Sequence, residues 1–191
     1  MSHRDVAAFV YTGFVIVAAY FSGCATSRYR TDVPLHPDYH TSRDSVLHYR
    51  VPLGWFDATH VEERNSGGTI WLVRSDYAAT ISVSEVNMDP DARKQVSRQG
   101  LVGLARLTMG LEAGEKTRVL LRPPQTFSVN GREFCSYELA NLATSDSVRV
   151  VLVDADEKVY ELTALVVGER RRATTDKVYS TQQTFLEQLK W

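Results

Sequence analysis

The chain has 191 residues, of which 43% are hydrophobic and 24% are charged, and its formal net charge is −1. This composition is typical of a folded globular protein and excludes wholesale disorder. There is no basic excess that would hold nucleic acid, so we predict no nucleic-acid partner. A chain of this length accommodates one domain and a short additional segment.

The chain opens with an apolar segment. Residues 1–5 are short and polar, and residues 6–21 contain no charge in 16 positions. A membrane-spanning helix needs about 20 apolar residues, so this run is better suited to the core of an export signal. A retained membrane helix and a buried core helix are the alternatives, and the lack of a polar face argues against the second.

Cys24 stands at the end of this run, directly after the small residues Ser22 and Gly23. The stretch Phe21-Ser22-Gly23-Cys24 resembles the lipobox of bacterial lipoproteins, with Phe21 in place of the usual aliphatic residue. The resemblance implies that Cys24 receives a diacylglyceryl thioether, that the chain is cut before it, and that the new amino group is acylated. Several acyl chains together give lasting membrane attachment.

The same resemblance predicts a signal peptide over 1–23 and a cell-envelope protein whose partner is the membrane, reached through the lipid anchor. Ala25 follows the cysteine, and the absence of Asp at this position favours the outer membrane, with the domain facing the periplasm. Once Cys24 carries lipid, Cys135 is the chain's other cysteine, so no intramolecular disulfide forms. Residues 28–44 include two prolines and lack periodicity, and we predict a lipidated tether over 24–44.

Alternation and helical spacing predict the elements that follow. Residues 45–52 alternate as a strand, and residues 69–74 and 78–86 form a hairpin across Ser75-Asp76-Tyr77. Asp89-Pro90 is typical of a helix start. The predicted packed face of that helix consists of residues at helical spacing: Val96, Gly100, Leu104, Leu107 and Leu111.

The rest of the chain predicts five strands and a closing helix. The strands cover 116–121, 125–129, 132–141, 147–154 and 158–167, with a tight turn at Asn130-Gly131. The helix covers about 175–190. Its predicted packed face consists of Val178, Gln182, Phe185 and Leu189.

The order of strands, helix, strand meander and helix predicts an α+β fold, an antiparallel β-sheet with helices packed on it. The stretch "HYRVPLGWF" and the paired strands of "FSVNGREFCSYEL" resemble the PsbP/Mog1/DcrB-like fold, which is an α/β/α sandwich. The resemblance implies one domain over 45–191. Because proteins of this fold include photosystem accessory proteins, transport cofactors and bacterial lipoproteins, it implies a fold without a specific task.

Cys135 is the first candidate for chemistry. It alternates in register with Tyr137 and Leu139 on the more apolar face of its strand. A reactive thiol needs a lowered pKa, which a nearby cation or a helix N-terminus supplies. We therefore predict a buried, inert thiol rather than a nucleophile.

The remaining polar candidates favour ordinary solvated positions. His36 and His40 flank Pro37 in the predicted tether, and their spacing is unlike that of zinc ligands. The turn that contains Asp154, Asp156 and Glu157 lacks the glycine of a calcium-binding loop. The residues Arg170, Arg171 and Arg172 are assigned to a loop, and the alternative is that they meet anionic lipid. Trp55, Trp71 and Trp191 are assigned to packing.

The sequence lacks the common nucleophile, phosphate-loop, dinucleotide and zinc-protease motifs. We therefore predict no catalytic residue, no metal and no cofactor. The predicted function is a non-enzymatic binding or accessory module for a protein or small ligand at the envelope. The alternative is a hydrolase or metal-dependent enzyme whose site combines distant residues, such as His48 on a strand, His60 in a loop and the acidic turn.

Overall fold

The computed structural model describes residues 27–61, 69–112, 117–155, 158–168 and 172–190. Their elements are β1 (Leu35–Thr41), β2 (His48–Pro52), β3 (Trp55–Asp57), β4 (Ile70–Arg74), β5 (Ala79–Glu85), α1 (Pro90–Glu112), β6 (Arg118–Val129), β7 (Arg132–Asn141), β8 (Ser147–Ala155), β9 (Lys158–Val166) and α2 (Arg172–Gln188).

Seven strands form one antiparallel sheet in the order β3-β4-β5-β9-β8-β7-β6, and β1 and β2 form a separate two-stranded sheet. Side chains alternate across each strand, so the large sheet has two apolar faces. One face packs on α2 and β2, and the other packs on α1. The predicted α+β fold, an antiparallel sheet with helices packed on it, is confirmed.

The predicted faces of β9 and α2 are also confirmed. Tyr160, Leu162, Ala164 and Val166 are all buried on one side of β9. The four predicted residues of the last helix are buried too, although Leu189 lies just beyond the end of α2. The Asn130-Gly131 turn has positive φ at both residues, as a two-residue hairpin of this kind requires.

The structure differs from the predicted tether over 28–44. Residues 35–41 form β1, which pairs with β2, and Tyr29 is buried in the main core at 7% exposure. The prolines of this segment removed the sequence signal for a strand, but an edge strand tolerates them because its outer N–H groups need no partner. The domain therefore includes residues from Ser27 onward.

The helix α1 starts at Pro90 as predicted, but its packed face differs from the prediction. Gly100 has φ of 64° and ψ of −165°, which interrupts the helix and shifts the phase of the residues that follow. Leu101, Leu104 and Ala105 pack on the sheet, whereas Leu107 is exposed. The strands predicted over 116–121 and 125–129 are one strand, β6, with register shifts around Arg122.

Among the described residues, no helix combines the length and apolar character needed to cross a membrane. The segment 6–21 and Cys24 lie outside those residues.

Candidate ligand-binding site

A row of charged side chains crosses three neighbouring strands on the face of the sheet that packs against α2. Register places Arg122 of β6 opposite Glu138 of β7, and Glu138 opposite Arg149 of β8. Directly opposite residues share a face and lie within contact distance. The antiparallel register therefore brings one carboxylate between two guanidinium groups.

Glu138 holds this row together. Its Oε1 accepts a hydrogen bond of 2.5 Å from the hydroxyl of Tyr29, and its Oε2 lies 3.0 Å from Nε of Arg122. Burial raises the pKa of Glu138, and the Tyr29 hydrogen bond and the nearby arginines Arg28 and Arg149 oppose that rise. The carboxylate is thus nine-tenths buried but is satisfied on both oxygens.

Arg149 is buried almost completely, which is rare for a guanidinium. Its two terminal nitrogens donate hydrogen bonds of 2.9 Å to Oε1 of Gln182 and Oε1 of Gln183 on α2. The ring of Tyr29 stacks against it, with a distance of 4.7 Å from Cζ to the ring centroid. Burial lowers the pKa of Arg149 to about 10, so it stays protonated at neutral pH.

The segment before β1 closes the site from outside. Ser27 donates a hydrogen bond of 2.8 Å to Oε1 of Gln183, and Arg28 lies 3.4 Å from Oδ1 of Asp176. Tyr29 packs edge-on against Tyr179 of α2, with ring centroids 5.5 Å apart. These three consecutive residues fix the start of the domain on α2.

A cavity of about 590 Å³ opens beside this network. Arg28, Asp176 and Tyr179 form one wall, and Leu121 and Leu142 line it while remaining 53% and 66% exposed. Its other lining residues are Arg122, Glu138, Ala140, Asn141, Ser145, Asp146, Ser147 and Thr175. The cavity is therefore lined by side chains of both charge signs and, at one edge, by the apolar side chains of Leu121 and Leu142.

Tyr179, which lines this cavity, has an unusual environment. Tyr179 is buried, and its hydroxyl has no hydrogen-bond partner among the described residues. Burial raises the pKa of this hydroxyl, so it is a neutral donor at physiological pH. A buried hydroxyl without a partner costs free energy.

Cys135 is buried on the opposite face of the sheet, against α1, as predicted. Burial raises the pKa of its thiol to about 11, so little thiolate forms at neutral pH. Cys24 lies outside the described residues, and its lipidation stays a prediction.

The histidines in the described part of the chain do not line the cavity. His40, on β1, lies 2.8 Å from Oδ2 of Asp57, which also accepts a hydrogen bond from Tyr49. Burial raises the pKa of Asp57, but hydrogen bonds from Thr59, Tyr49 and His40 outweigh it and leave that pKa below its ordinary value. This half-buried cluster joins β1 to β2 and β3.

The other predicted candidates are scattered. His36 is on β1, His48 is on β2, where its Nδ1 lies 3.3 Å from Oγ1 of Thr41, and His60 is in a turn. Within the described ranges, no group of three His, Cys, Asp or Glu residues could hold a metal ion. Trp55 is buried and Trp71 is half-buried, whereas Asp156, Glu157, Arg170, Arg171 and Trp191 lie outside those ranges.

The cavity residues were not predicted from the sequence. The available signal was a charge in an otherwise apolar row, because Arg149 shares its face of β8 with Val151 and Val153. Glu138 interrupts β7 in the same way. A buried charge requires a partner, so the pair could have been sought across the β7–β8 hairpin.

Solved structures with the same arrangement of elements exist. The Ran-binding protein Mog1p of Saccharomyces cerevisiae has a TM-score of 0.55 and 14% identity, over 82% of this chain and 96% of that chain. LpqN of Mycobacterium tuberculosis, involved in cell envelope biogenesis, has a TM-score of 0.50 and 14% identity, over 81% and 90%. This is a Mog1/PsbP-like fold.

Cyanobacterial PsbP from Synechocystis has a TM-score of 0.49 and 14% identity, over 80% of this chain and 91% of that chain. No known protein family matches the sequence, and no curated protein matches it significantly. At such low identity, the Mog1/PsbP-like similarity is one of fold, and function has to be argued from the site.

Proposed function

We propose that this chain is a lipid-anchored protein of the cell envelope and that its domain is a non-catalytic binding module. Cys24 is the proposed lipidated residue, and the outer membrane, facing the periplasm, is the proposed location. The proposed binding site is the cavity between the docked N-terminal segment, β7 and α2. The observation that carries the binding role is this 590 Å³ cavity, which is lined by ionisable side chains of both charge signs and by the exposed apolar side chains of Leu121 and Leu142.

The pairing of the charged groups supports binding over catalysis. Glu138 is held by Tyr29 and Arg122, and Arg28 lies beside Asp176. A general acid or a nucleophile needs freedom to exchange a proton or attack a substrate, which these contacts restrict. The envelope role named for LpqN, a protein of the same fold, is in keeping with the proposed location.

The anchor is tested by comparing the chain's two cysteines. Cys24→Ala should accumulate as an unprocessed precursor without lipid, whereas Cys135→Ala should be cut, acylated and membrane-bound like the wild type. Intact-mass spectrometry of the membrane and soluble fractions measures both. A mature, membrane-bound Cys24→Ala protein without lipid would contradict the anchor.

The binding site is tested by photocrosslinking in the native envelope. A photoreactive amino acid at Leu121, on the cavity, should capture a ligand or protein, whereas the same probe at exposed Ser128, farther along β6, should not. Mass spectrometry identifies the adducts. Equal adducts from both positions, or none from Leu121, would contradict the assignment of the cavity.

A hydrolase is the second candidate, because several ionisable side chains meet in one cavity and the pKa of Glu138 is raised, as in a general acid. Under this hypothesis, Glu138→Gln abolishes a hydrolytic activity found with a panel of ester, phosphate and glycoside substrates. Glu161→Gln is the matched control, since burial also raises the pKa of Glu161 but this residue does not line the cavity. A binding module shows no activity that depends on Glu138.

A further inference from the structure

The docked start of the domain leaves almost no free chain between the lipid and the cavity. Cys24 precedes Ser27 by three residues, and Ser27, Arg28 and Tyr29 are all fixed on the domain. Three peptide units span at most about 11 Å. If Cys24 carries acyl chains in the bilayer, the wall that contains Arg28 must lie close to the headgroups.

The exposed side chains near this wall suit a membrane surface. Leu121 and Leu142 line the cavity and are more than half exposed. Val119, on the same edge strand and opposite Ala140 of the cavity, is also exposed. Neighbouring exposed apolar residues are typical of a surface that contacts a protein or a membrane, and here the short connection to Cys24 selects the membrane.

The charges of the cavity match a headgroup that has both signs. Arg28 and Arg122 are each partly exposed, and guanidinium groups bind phosphate oxygens with two hydrogen bonds. Asp146 and Asp176 lie on the same cavity, and carboxylates accept hydrogen bonds from an ammonium group. The ion pair between Arg28 and Asp176 is long, at 3.4 Å, and half-exposed, so both groups can also reach a ligand.

We propose that the mouth of this cavity rests on the bilayer and that the cavity holds a phospholipid headgroup carrying both a phosphate and a primary ammonium. The phosphate contacts Arg28 and Arg122, the ammonium contacts Asp146 and Asp176, and the acyl chains leave past Leu121 and Leu142. The inference rests on the proposed anchoring at Cys24 and names the ligand class of the proposed binding site.

Orientation is tested with the full lipidated protein in phosphatidylcholine–phosphatidylethanolamine vesicles. An environment-sensitive fluorophore is attached to Leu142→Cys or, as the control, to Ser128→Cys, which lies seven residues and about 23 Å beyond Leu121 on β6. Cys135 is buried and does not compete for the label. A quencher carried on lipid should quench the Leu142→Cys probe several-fold more strongly, and equal quenching would overturn the orientation.

Headgroup binding is tested by native mass spectrometry of the lipidated protein with added phosphatidylethanolamine, phosphatidylcholine or phosphatidylglycerol. Phosphatidylethanolamine should be retained best, because phosphatidylcholine lacks N–H donors and phosphatidylglycerol lacks the cation. The double variant Arg28→Gln, Asp176→Asn should retain about tenfold less of it. The control, Lys94→Gln, Asp91→Asn, removes an exposed ion pair on α1 and should retain it fully.

Equal retention of all three lipids, or equal loss in the two double variants, would overturn the headgroup assignment. Intact mass separates this failure from failure of the proposed function. Acylated protein with an unquenched Leu142→Cys probe contradicts only the further inference, whereas protein without acyl chains contradicts the anchor itself.

Discussion

Arg149 is the residue whose environment differs most from what its chemistry favours. It is a charge held between sheet and helix, with glutamine oxygens and an aromatic ring as neighbours rather than water. Removing a guanidinium from water costs free energy, which is recovered only when the protein supplies well-placed hydrogen-bond acceptors and favourable charge contacts. Arg149 therefore ties α2, β8 and the N-terminal segment into one arrangement.

Replacing Arg149 by Met should destabilise the domain by about 3 to 5 kcal/mol, because Oε1 of Gln182 loses its donor, Oε1 of Gln183 keeps only that of Ser27, and Glu138 loses a nearby cation. Urea unfolding measures the loss. Arg98→Met, on the exposed side of α1, should stay within about 0.5 kcal/mol of the wild type. Similar losses in the two variants would show that Arg149 is not a structural tie.

Glu161 provides a test of pH dependence on the opposite face of the sheet. Burial raises its pKa and outweighs the hydrogen bond from Thr163, which lowers it, so the native state binds the proton more tightly than the unfolded chain. Its contribution to stability is present below its ordinary pKa of 4.5 and is lost as the pH rises through the higher native value. Glu161→Gln should therefore raise the melting temperature at neutral pH.

The gain from Glu161→Gln should shrink as the pH falls toward the ordinary glutamate value, since the native carboxyl is then already neutral. Thermal unfolding at several pH values measures this trend. Glu133→Gln, at an exposed position on β7, serves as the comparison. A gain from Glu161→Gln that persists unchanged in acid would show that ionisation is not its cause.

At the scale of elements, replacing either of two glycines of α1 by alanine should change the stability of the domain in opposite directions. Gly100 has a backbone conformation that is essentially restricted to glycine, so Gly100→Ala should cost about 1 to 3 kcal/mol. Gly110 lies in the same helix, and the space that an alanine methyl would occupy there is open, so Gly110→Ala should stabilise by about 0.5 to 1 kcal/mol. Urea midpoints distinguish them, and equal stabilisation by both would mean that the interruption at Gly100 is not required.

The elements predicted correctly are those in which buried residues recur at the regular spacing of a strand or of a helix. The burial of β9 alternates from Tyr160 to Val166, and α2 keeps its spacing from Val178 to Phe185. The packed face of α1 was predicted correctly only at Val96 and Leu104, because no pattern reveals that Gly100 adopts positive φ. β1 was missed because Pro37 within it and Pro34 just before it obscure a strand that depends on β2 for its partner.

The site was harder to predict than the elements around it. Glu138 and Arg149 become neighbours only through the register of β7 and β8, and Tyr29 joins them from a segment more than a hundred residues away in sequence. Such contacts depend on how the elements pack, which periodicity does not report. A charge in a buried row indicates that a partner exists without saying which residue it is.

At the scale of the whole molecule, the domain should need its N-terminal segment. A form that begins at Ser27 should unfold cooperatively in urea, followed by circular dichroism. A form that begins at Ser45 loses β1 and the Tyr29 side chain, whose burial contributes about 2 kcal/mol, and leaves Oε1 of Glu138 without the donor that Tyr29 supplies. It should be markedly less stable, and equal stability of the two forms would show that residues 27–44 are dispensable.

The position of β9 has a consequence for folding during synthesis. It lies between β5 and β8, and it pairs with β5 across about 80 residues of intervening chain. A chain that emerges N-terminus first therefore exposes the open edge of β5 until almost the whole domain has been delivered. Such late, long-range closure slows folding and leaves an unpaired edge open to aggregation. The nascent protein should thus depend on a holding chaperone until β9 arrives.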